Sequence, residues 1–241
     1  MLILREPHKH LELTHGAEGW RDFLAHPPRH WRDNRSARRL ALAWEGSAPK
    51  APPAMAAAFA GTPFEGFAPI IAIPAYEVDM PGSRAPARND LLVVGQTGSE
   101  LALLMVQGKV DATLGPHIDE WLHNPSPGKL MRIGFLKRTL QLSDPLPETI
   151  CYQLLHRTAA PLLEASRLGM PRAAVVVAAF GPSDECFGEF EDFTRLLGLE
   201  GRRGHLERSP LHRDPELWLG WVDMDGPDAG DGGGDVTGNH D

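Results

Sequence analysis

The sequence predicts an α/β fold in which a mixed central sheet is flanked by helices, and three patterns support this fold class. Two β-type runs, at residues 90–96 and 99–110, are separated by Thr97-Gly98, which is typical of a β-hairpin. A continuous apolar run at 173–180 is typical of a strand that is covered on both faces. The segment 147–169 between them carries apolar residues at helical spacing.

The first predicted elements are two helices and a strand. A helix is expected to begin near Ser36, an N-cap candidate, and to run to Gly46 with Leu40 and Trp44 on its apolar stripe. A short alanine-rich helix at about 53–60 follows. The next segment, 68–78, is β-rich, but Pro74 restricts part of it to a sheet edge or a bulge.

The remaining elements follow the predicted hairpin. Helices are expected near 116–123, 128–142 and 147–169, and the apolar strand at 173–180 comes next. An acidic helix at 183–198 and a strand near 216–222 complete the order. The chain therefore alternates helices and strands in the way expected of a mixed sheet with helices packed against it.

Length and composition indicate one main globular domain. The chain has 241 residues, enough for a sizeable core, and its 42% hydrophobic and 23% charged residues exclude wholesale disorder. We predict an N-terminal extension at 1–27, a single domain at 28–224 and a disordered acidic tail at 225–241. That tail contains five aspartates and no lysine or arginine, so it has little apolar surface to bury.

The expected compartment is the cytoplasm of a bacterial-type cell. Two cysteines are too few for a disulfide-stapled scaffold, so Cys151 and Cys186 are predicted to be reduced thiols. The N-terminal segment is charged by its fifth residue, and no apolar run approaches 18 residues. Neither a secretory leader nor association with a membrane is therefore expected.

The end of the hairpin carries three polar residues that could act together. If Thr97-Gly98 is a two-residue turn, Asp90 lies opposite Met105, and the period of two places Gln107 and Lys109 on the same face as Asp90. The Cα atoms of Asp90 and Gln107 would then be about 7–8 Å apart on a diagonal. A divalent cation fits between a carboxylate and an amide oxygen at this separation, with Lys109 beside it. The alternatives are a three-residue loop, which would reverse the face of Asp90, and an ordinary hairpin with a polar end.

This spacing resembles a known nuclease motif. Asp90, a 16-residue interval and Gln107-x-Lys109 are similar to the PD-(D/E)XK superfamily in the Q-x-K form of Mrr-like restriction enzymes. Four segments also resemble an uncharacterised bacterial family described as nuclease-like, and the resemblance spans about residues 28–198. These segments are HWRDNRSARRLALAWE (30–45), MPGSRAPARND (80–90), QGKVDATLGP (107–116) and YQLLHRTAAPLLEA (152–165).

The resemblance implies a restriction-endonuclease-like core of order α-β-β-β-α-β and a role for each motif residue. Asp90 would be a metal ligand, Gln107 the ligand on the second strand and Lys109 the catalytic lysine, with Mg²⁺ or Mn²⁺ as cofactor. Glutamine replaces the usual acidic residue at 107, so the site lacks one negative charge unless another carboxylate contributes. Glu45 on the first helix is slightly preferred for this role over Glu77.

A second polar group lies on the long predicted helix. Gln153, His156 and Arg157 share one helical face, which continues to Glu164 and Arg167. On one interpretation this face covers the hairpin end, where His156 or Arg157 contacts phosphate. On the other, the same face forms internal ion pairs, such as that of Glu164 with an arginine.

The predicted function is metal-dependent hydrolysis of phosphodiester bonds in nucleic acid, with DNA favoured over RNA. The net charge of −8 does not exclude this, because five negative charges lie in the tail and the arginines at 84, 88 and 157 flank the site. The alternative is a nuclease-fold scaffold that binds a partner without cleavage. An unrelated small-molecule enzyme is disfavoured, since the chain lacks G-x-S-x-G, P-loop and G-x-G-x-x-G motifs. A homodimer remains an open alternative.

Overall fold

The structure is a computed structural model that describes residues 16–24, 31–33, 35–83, 85–110 and 113–224. The predicted acidic tail, most of the predicted N-terminal extension and Arg84 lie outside these residues. A 3₁₀ helix spans Ala17–Phe23. The α-helices are α1 Ser36–Ser47, α2 Pro53–Ala58, α3 Ile118–Trp121, α4 Pro127–Thr139, α5 Tyr152–Leu168 and α6 Asp184–Leu196. The strands are β1 Ala68–Pro74, β2 Glu77–Val78, β3 Ala87–Arg88, β4 Leu91–Thr97, β5 Glu100–Val110, β6 Arg172–Phe180, β7 His205–Arg213 and β8 Glu216–Asp223.

A six-stranded mixed sheet forms the centre of the fold, in the order β1-β4-β5-β6-β8-β7. β1, β4 and β5 are antiparallel neighbours, β5, β6 and β8 run parallel, and β7 returns antiparallel to β8. β2 and β3 form a separate two-stranded ribbon. The predicted α/β class with a mixed central sheet is confirmed, and α1, β1, β4, β5, α5 and β6 follow one another in the predicted α-β-β-β-α-β order.

Helices cover both faces of the sheet, because the strands carry apolar residues on alternating sides. Leu103 and Met105 of β5 face a core that also contains buried residues of α4, α5 and α6. Leu104 and Val106 face a second core with α1 and α2. β6 lies in the interior of the sheet with seven consecutive alanines and valines at its centre, as its apolar sequence predicts. We call these sides the α5 face and the α1 face.

The hairpin register differs from the prediction by two residues. Gly98-Ser99, and not Thr97-Gly98, forms the two-residue turn, so Thr97 pairs with Glu100 and Leu92 pairs with Met105. Gly98 has a positive φ of 59°, which a two-residue hairpin turn requires and which glycine adopts without strain. Continued by one residue, this register places Asp90 opposite Gln107 and not opposite Met105.

Several predicted boundaries are also corrected. Ser36 is the first residue of α1 and Arg35 occupies the N-cap position, with no side-chain cap. The three helices after the hairpin are shorter than predicted, at Ile118–Trp121, Pro127–Thr139 and Tyr152–Leu168. Strand β7 is an edge strand that the sequence analysis did not predict. Among the described residues, no helix is long and apolar enough to cross a membrane.

Candidate functional site

Asp90, Gln107 and Lys109 lie together at one end of the β4–β5 hairpin, on the α5 face. Asp90 directly precedes β4, and the other two belong to the last four residues of β5. The Oδ2 atom of Asp90 accepts a hydrogen bond from the backbone N–H of Gly108 at 2.9 Å. This bond joins the carboxylate to the residue between Gln107 and Lys109 and so brings the Asp…Q-x-K group into one place.

Gln107 belongs to a buried chain of amide groups. The side chain of Asn89 donates to the carbonyl oxygens of Ala87 at 3.3 Å and Tyr76 at 3.4 Å, so its own oxygen faces Gln107. Gln107 Nε2 donates to that oxygen at 3.1 Å. The Oε1 atom of Gln107 is buried and has no hydrogen-bond partner among the described residues. An unpaired buried carbonyl oxygen is costly, and a cation or a water would satisfy it.

Lys109 is held by the helix above it and by the loop that follows β5. Its Nζ donates to Gln153 Oε1 at 2.7 Å and to the carbonyl oxygen of Thr113 at 3.1 Å. Burial, and then the positive charge of Arg157, lower the pKa of Lys109 to about 8, while Asp90 acts in the opposite direction. The amine therefore loses its proton more readily than an exposed lysine.

Arg157 forms a partly buried ion pair with Asp90. Its Nη1 lies 3.3 Å from Asp90 Oδ2, the same oxygen that accepts from Gly108. Asp90 Oδ1 accepts no hydrogen bond from a described residue. The predicted face of the long helix thus covers the hairpin end, since Gln153 contacts Lys109 and Arg157 contacts Asp90.

His156 lies in a neighbouring cavity and not on the carboxylate. The cavity has a volume of about 400 Å³, and its lining includes Trp121, Lys129, Arg132, Tyr152 and His156. The rings of Trp121 and Tyr152 are stacked at 3.8 Å, and the ammonium of Lys129 lies 5.2 Å from the Trp121 ring centre. Burial, and then Arg157, lower the pKa of His156 to about 3, so the imidazole is neutral at physiological pH. Its buried Nδ1 has no partner among the described residues.

The two additional carboxylates that we considered are bonded to other residues. Glu45 is on α1, which packs on the opposite face of the sheet, and it accepts a hydrogen bond from Trp20 Nε1 at 2.7 Å. Glu77 is on the β2–β3 ribbon, where Arg88 Nε donates to it at 3.1 Å. The predicted preference for Glu45 is therefore not supported by the geometry, and Asp90 is the predicted carboxylate that contacts the Q-x-K segment.

The far end of the same helical face forms the internal ion pair of the alternative interpretation. Arg167 Nε donates to the buried Glu164 at 3.0 Å, and the Tyr76 hydroxyl donates to the same oxygen at 2.9 Å. Burial, and then the charge of Glu164, raise the pKa of Tyr76 to about 12. The α5 polar face thus forms an internal ion pair at this end, whereas at its other end Gln153 and Arg157 cover the end of the hairpin.

Two features of the site were missed by the sequence analysis. The sequence gives no indication of a role for Asn89, but it orients the amide of Gln107. A second group, His117, Cys151 and Glu189, lies where the loop after β5 meets α5 and α6, and the long separations between these residues carry no motif signal. Burial and the charge of Glu189 raise the pKa of Cys151 to about 12, so its thiol is protonated.

The fold and the residues around Asp90 define a mixed α/β protein with a polar site at the end of its central hairpin, where Lys109 and Arg157 supply positive charge. Residues 13–226 match the model of a family described as a domain of unknown function, DUF6946. The match covers most of the chain, and the protein therefore belongs to this family. No curated protein and no solved structure gives a significant match to the chain.

Proposed function

We propose that the protein is a metal-dependent nuclease that hydrolyses phosphodiester bonds of nucleic acid at the Asp90–Gln107–Lys109 site. One observation carries this proposal: the Asp90 carboxylate accepts from the N–H of Gly108, inside the Gln107-x-Lys109 segment. This bond fixes the carboxylate beside the strand segment that carries the Gln107 amide and the Lys109 amine, on the same face of the hairpin. These are the groups that phosphodiester hydrolysis assisted by a hard cation uses.

The donor set suits a Mg²⁺ or Mn²⁺ ion with few protein ligands. Mg²⁺ is usually bound through one or two carboxylates, keeps several waters and bridges to substrate phosphate. Asp90 and the unpaired buried oxygen of Gln107 are the residues that would hold the ion. When bound, a divalent cation offsets negative charge on the reacting phosphate and lowers the pKa of a coordinated water.

The residues of the chain supply positioning and charge for the same reaction. Lys109, fixed by Gln153 and the carbonyl of Thr113, lies on the same face of the sheet as Asp90, and its amine can orient a water or stabilise a phosphoryl oxygen there. Arg157 can transfer part of its interaction from Asp90 to a phosphate, because a guanidinium binds both groups with the same geometry. The cavity beside His156 adds basic and aromatic side chains that suit a nucleotide.

A specific observation favours a second candidate, a nuclease-fold protein that binds a partner without cleavage. Arg157 already neutralises Asp90, and glutamine stands where a second carboxylate would raise the affinity for a cation. A site of this kind binds phosphate through Arg157 and Lys109 without needing a metal. The two candidates therefore differ in whether divalent cations are required.

The full-length chain, freed of metal with EDTA, is to be incubated with single- and double-stranded DNA and RNA of defined length. We expect strand cleavage that depends on added Mg²⁺ or Mn²⁺. Asp90→Ala and Lys109→Ala should each lower the cleavage rate by about 100-fold or more, because each removes a charged group from the reacting centre.

Two matched controls separate the site from general charge effects. Asp144→Ala removes an exposed carboxylate that is paired with Lys137, and Lys50→Ala removes an exposed lysine. Both variants should keep the wild-type rate. Cleavage that persists in both Asp90→Ala and Lys109→Ala, or that needs no divalent cation, contradicts the nuclease proposal. Binding of nucleic acid by an inactive wild type favours the scaffold.

A further inference from the structure

Three metal-binding side chains converge where the loop after β5 meets α5 and α6. His117 lies in the loop before α3, Cys151 is the N-cap residue of α5 and Glu189 is on α6. One donor atom from each residue, an imidazole nitrogen, the thiol sulfur and a carboxylate oxygen, lie within 4.8 Å of one another. A single ion could therefore contact all three donors.

The backbone holds the first two donors side by side. His117 and Cys151 form an isolated antiparallel β-bridge. Ile118 N donates to Ile150 O at 2.9 Å, and Tyr152 N donates to Pro116 O at 3.0 Å. The two donors are thus positioned by main-chain hydrogen bonds on both sides of the bridge and not by side-chain rotamers alone.

The third donor is positioned by the loop itself. Glu189 Oε2 accepts from Leu114 N at 3.3 Å, and Oε1 lies 3.2 Å from His117 Nε2. A second hydrogen bond of this kind orients a carboxylate that ligates through its other oxygen. Cys151 is fully buried, whereas the side chain of His117 is 41% exposed, which gives an ion a path from solvent.

The order of contacts argues against a cysteine nucleophile. In a Cys–His pair the imidazole takes the proton of the thiol, and a third group orients the imidazole from its other side. Here the carboxylate of Glu189 contacts the imidazole of His117, and one donor atom of each of the three side chains lies within 4.8 Å of the other two. Three donors that approach one another in this way, and not in series, suit a single bound ion.

We propose that His117, Cys151 and Glu189 form a binding site for one zinc-class transition-metal ion, separate from the Asp90 site. Sulfur and nitrogen donors select such an ion over Mg²⁺ or Ca²⁺, which prefer ligand sets made of oxygen. Three protein ligands leave a fourth position for water or another small ligand. The bound ion ties the loop 113–117 to α5 and α6, and the carbonyl of Thr113 in this loop accepts from Lys109 Nζ.

The test uses the full-length chain, reduced and freed of metal with EDTA, and Co²⁺ and Zn²⁺ as probes. We expect one equivalent of Co²⁺ to replace the thiol proton of Cys151, which is released to the buffer, and to give a thiolate-to-cobalt charge-transfer band. Zn²⁺ should displace the Co²⁺. Cys151→Ser should abolish the band and weaken Zn²⁺ binding by about 10-fold or more, measured by competition with a chromophoric chelator. Cys186→Ser is the matched control, since Cys186 is not one of the three donors, and it should keep the band and the affinity.

Glu189→Gln provides a second variant in case Cys151→Ser does not fold, and circular dichroism verifies the fold of each. Glu189→Gln should keep the charge-transfer band but bind Zn²⁺ about 10-fold or more weakly. Asp90→Asn should leave both readouts unchanged, so failure of the nuclease proposal does not affect this one. The proposal is overturned if the wild type binds no stoichiometric Co²⁺ or Zn²⁺, or if Cys186→Ser loses the band as completely as Cys151→Ser.

Discussion

Gln107 is the residue whose chemistry decides what the hairpin site can bind. The side-chain nitrogen of Asn89 donates to two backbone carbonyls, so the Asn89 oxygen is the atom that faces Gln107. Gln107 therefore donates to it through its own side-chain nitrogen. The Gln107 oxygen therefore points away from Asn89, buried and unpaired. A side chain fixed in this way offers its oxygen as a ligand to a cation without further loss of rotamer freedom. It contributes no negative charge to the site.

Gln107→Glu tests whether this position lies at a cation site. Without divalent cation we expect the variant to be less stable than wild type by about 1–3 kcal/mol, because a carboxylate oxygen replaces the donor to Asn89. Mn²⁺ should restore more stability to the variant than to wild type, measured by denaturant unfolding in EDTA or Mn²⁺. Gln96→Glu, the same change at an exposed position of the hairpin, should not respond to Mn²⁺. An equal Mn²⁺ response in both variants would contradict a cation site at Gln107.

At the scale of an element, the β4–β5 hairpin shows which features of a strand pair can be predicted from the sequence and which cannot. The turn was placed one residue too early, which shifts the paired positions by two. A shift of two keeps every side chain on its face, since the strand period is two. Asp90, Gln107 and Lys109 therefore lie on the expected face, although Asp90 has a different partner from the expected one.

Other elements lacked a signal that the sequence alone could provide. β7 is a polar edge strand that contains Pro210, so neither alternation nor apolarity marks it. Glu45 follows the buried Trp44 on α1, and only the packing of α1 on the opposite face shows that Glu45 is remote from Asp90. The contact of Asn89 with Gln107 likewise depends on the register and on the β2–β3 ribbon.

The close approach of β5 to the start of α1 gives an element-scale prediction. A Cβ atom at Gly108 would lie 3.0 Å from Ser36 Cβ and 3.2 Å from Ser36 O. Gly108→Val should therefore force α1 away from β5 and lower the free energy of unfolding by about 1–3 kcal/mol in urea denaturation. Gly188→Ala in α6, where nothing lies within 4 Å, should raise it by about 0.5–1 kcal/mol. A Gly108→Val variant as stable as wild type would show that this contact is not tight.

At the scale of the whole molecule, the sheet separates two regions with different side-chain chemistry. The α1 face contains an apolar core with the aromatic rings of Phe59, Phe64 and Phe67 in mutual contact. The α5 face contains the hairpin site, the cavity beside His156 and the His117–Cys151–Glu189 group. The candidate polar site therefore lies on one side of the sheet, and the other side is a closely packed apolar core.

Burial of two histidines makes the stability of the whole molecule depend on pH. Burial lowers the pKa of His156 to about 3 and also lowers the pKa of His212. The folded state keeps the ring of His156 neutral, whereas the unfolded chain binds a proton there near pH 6.5. The stability that this neutral ring gives the folded state is therefore complete above pH 6.5 and is lost as pH falls, and the lowered pKa of His212 acts in the same direction. Denaturant unfolding between pH 7 and 5 should show a loss of at most about 1.4 kcal/mol per pH unit for each histidine. His156→Gln should reduce this slope. Equal slopes in His156→Gln and wild type would show that His156 is protonated in the folded protein.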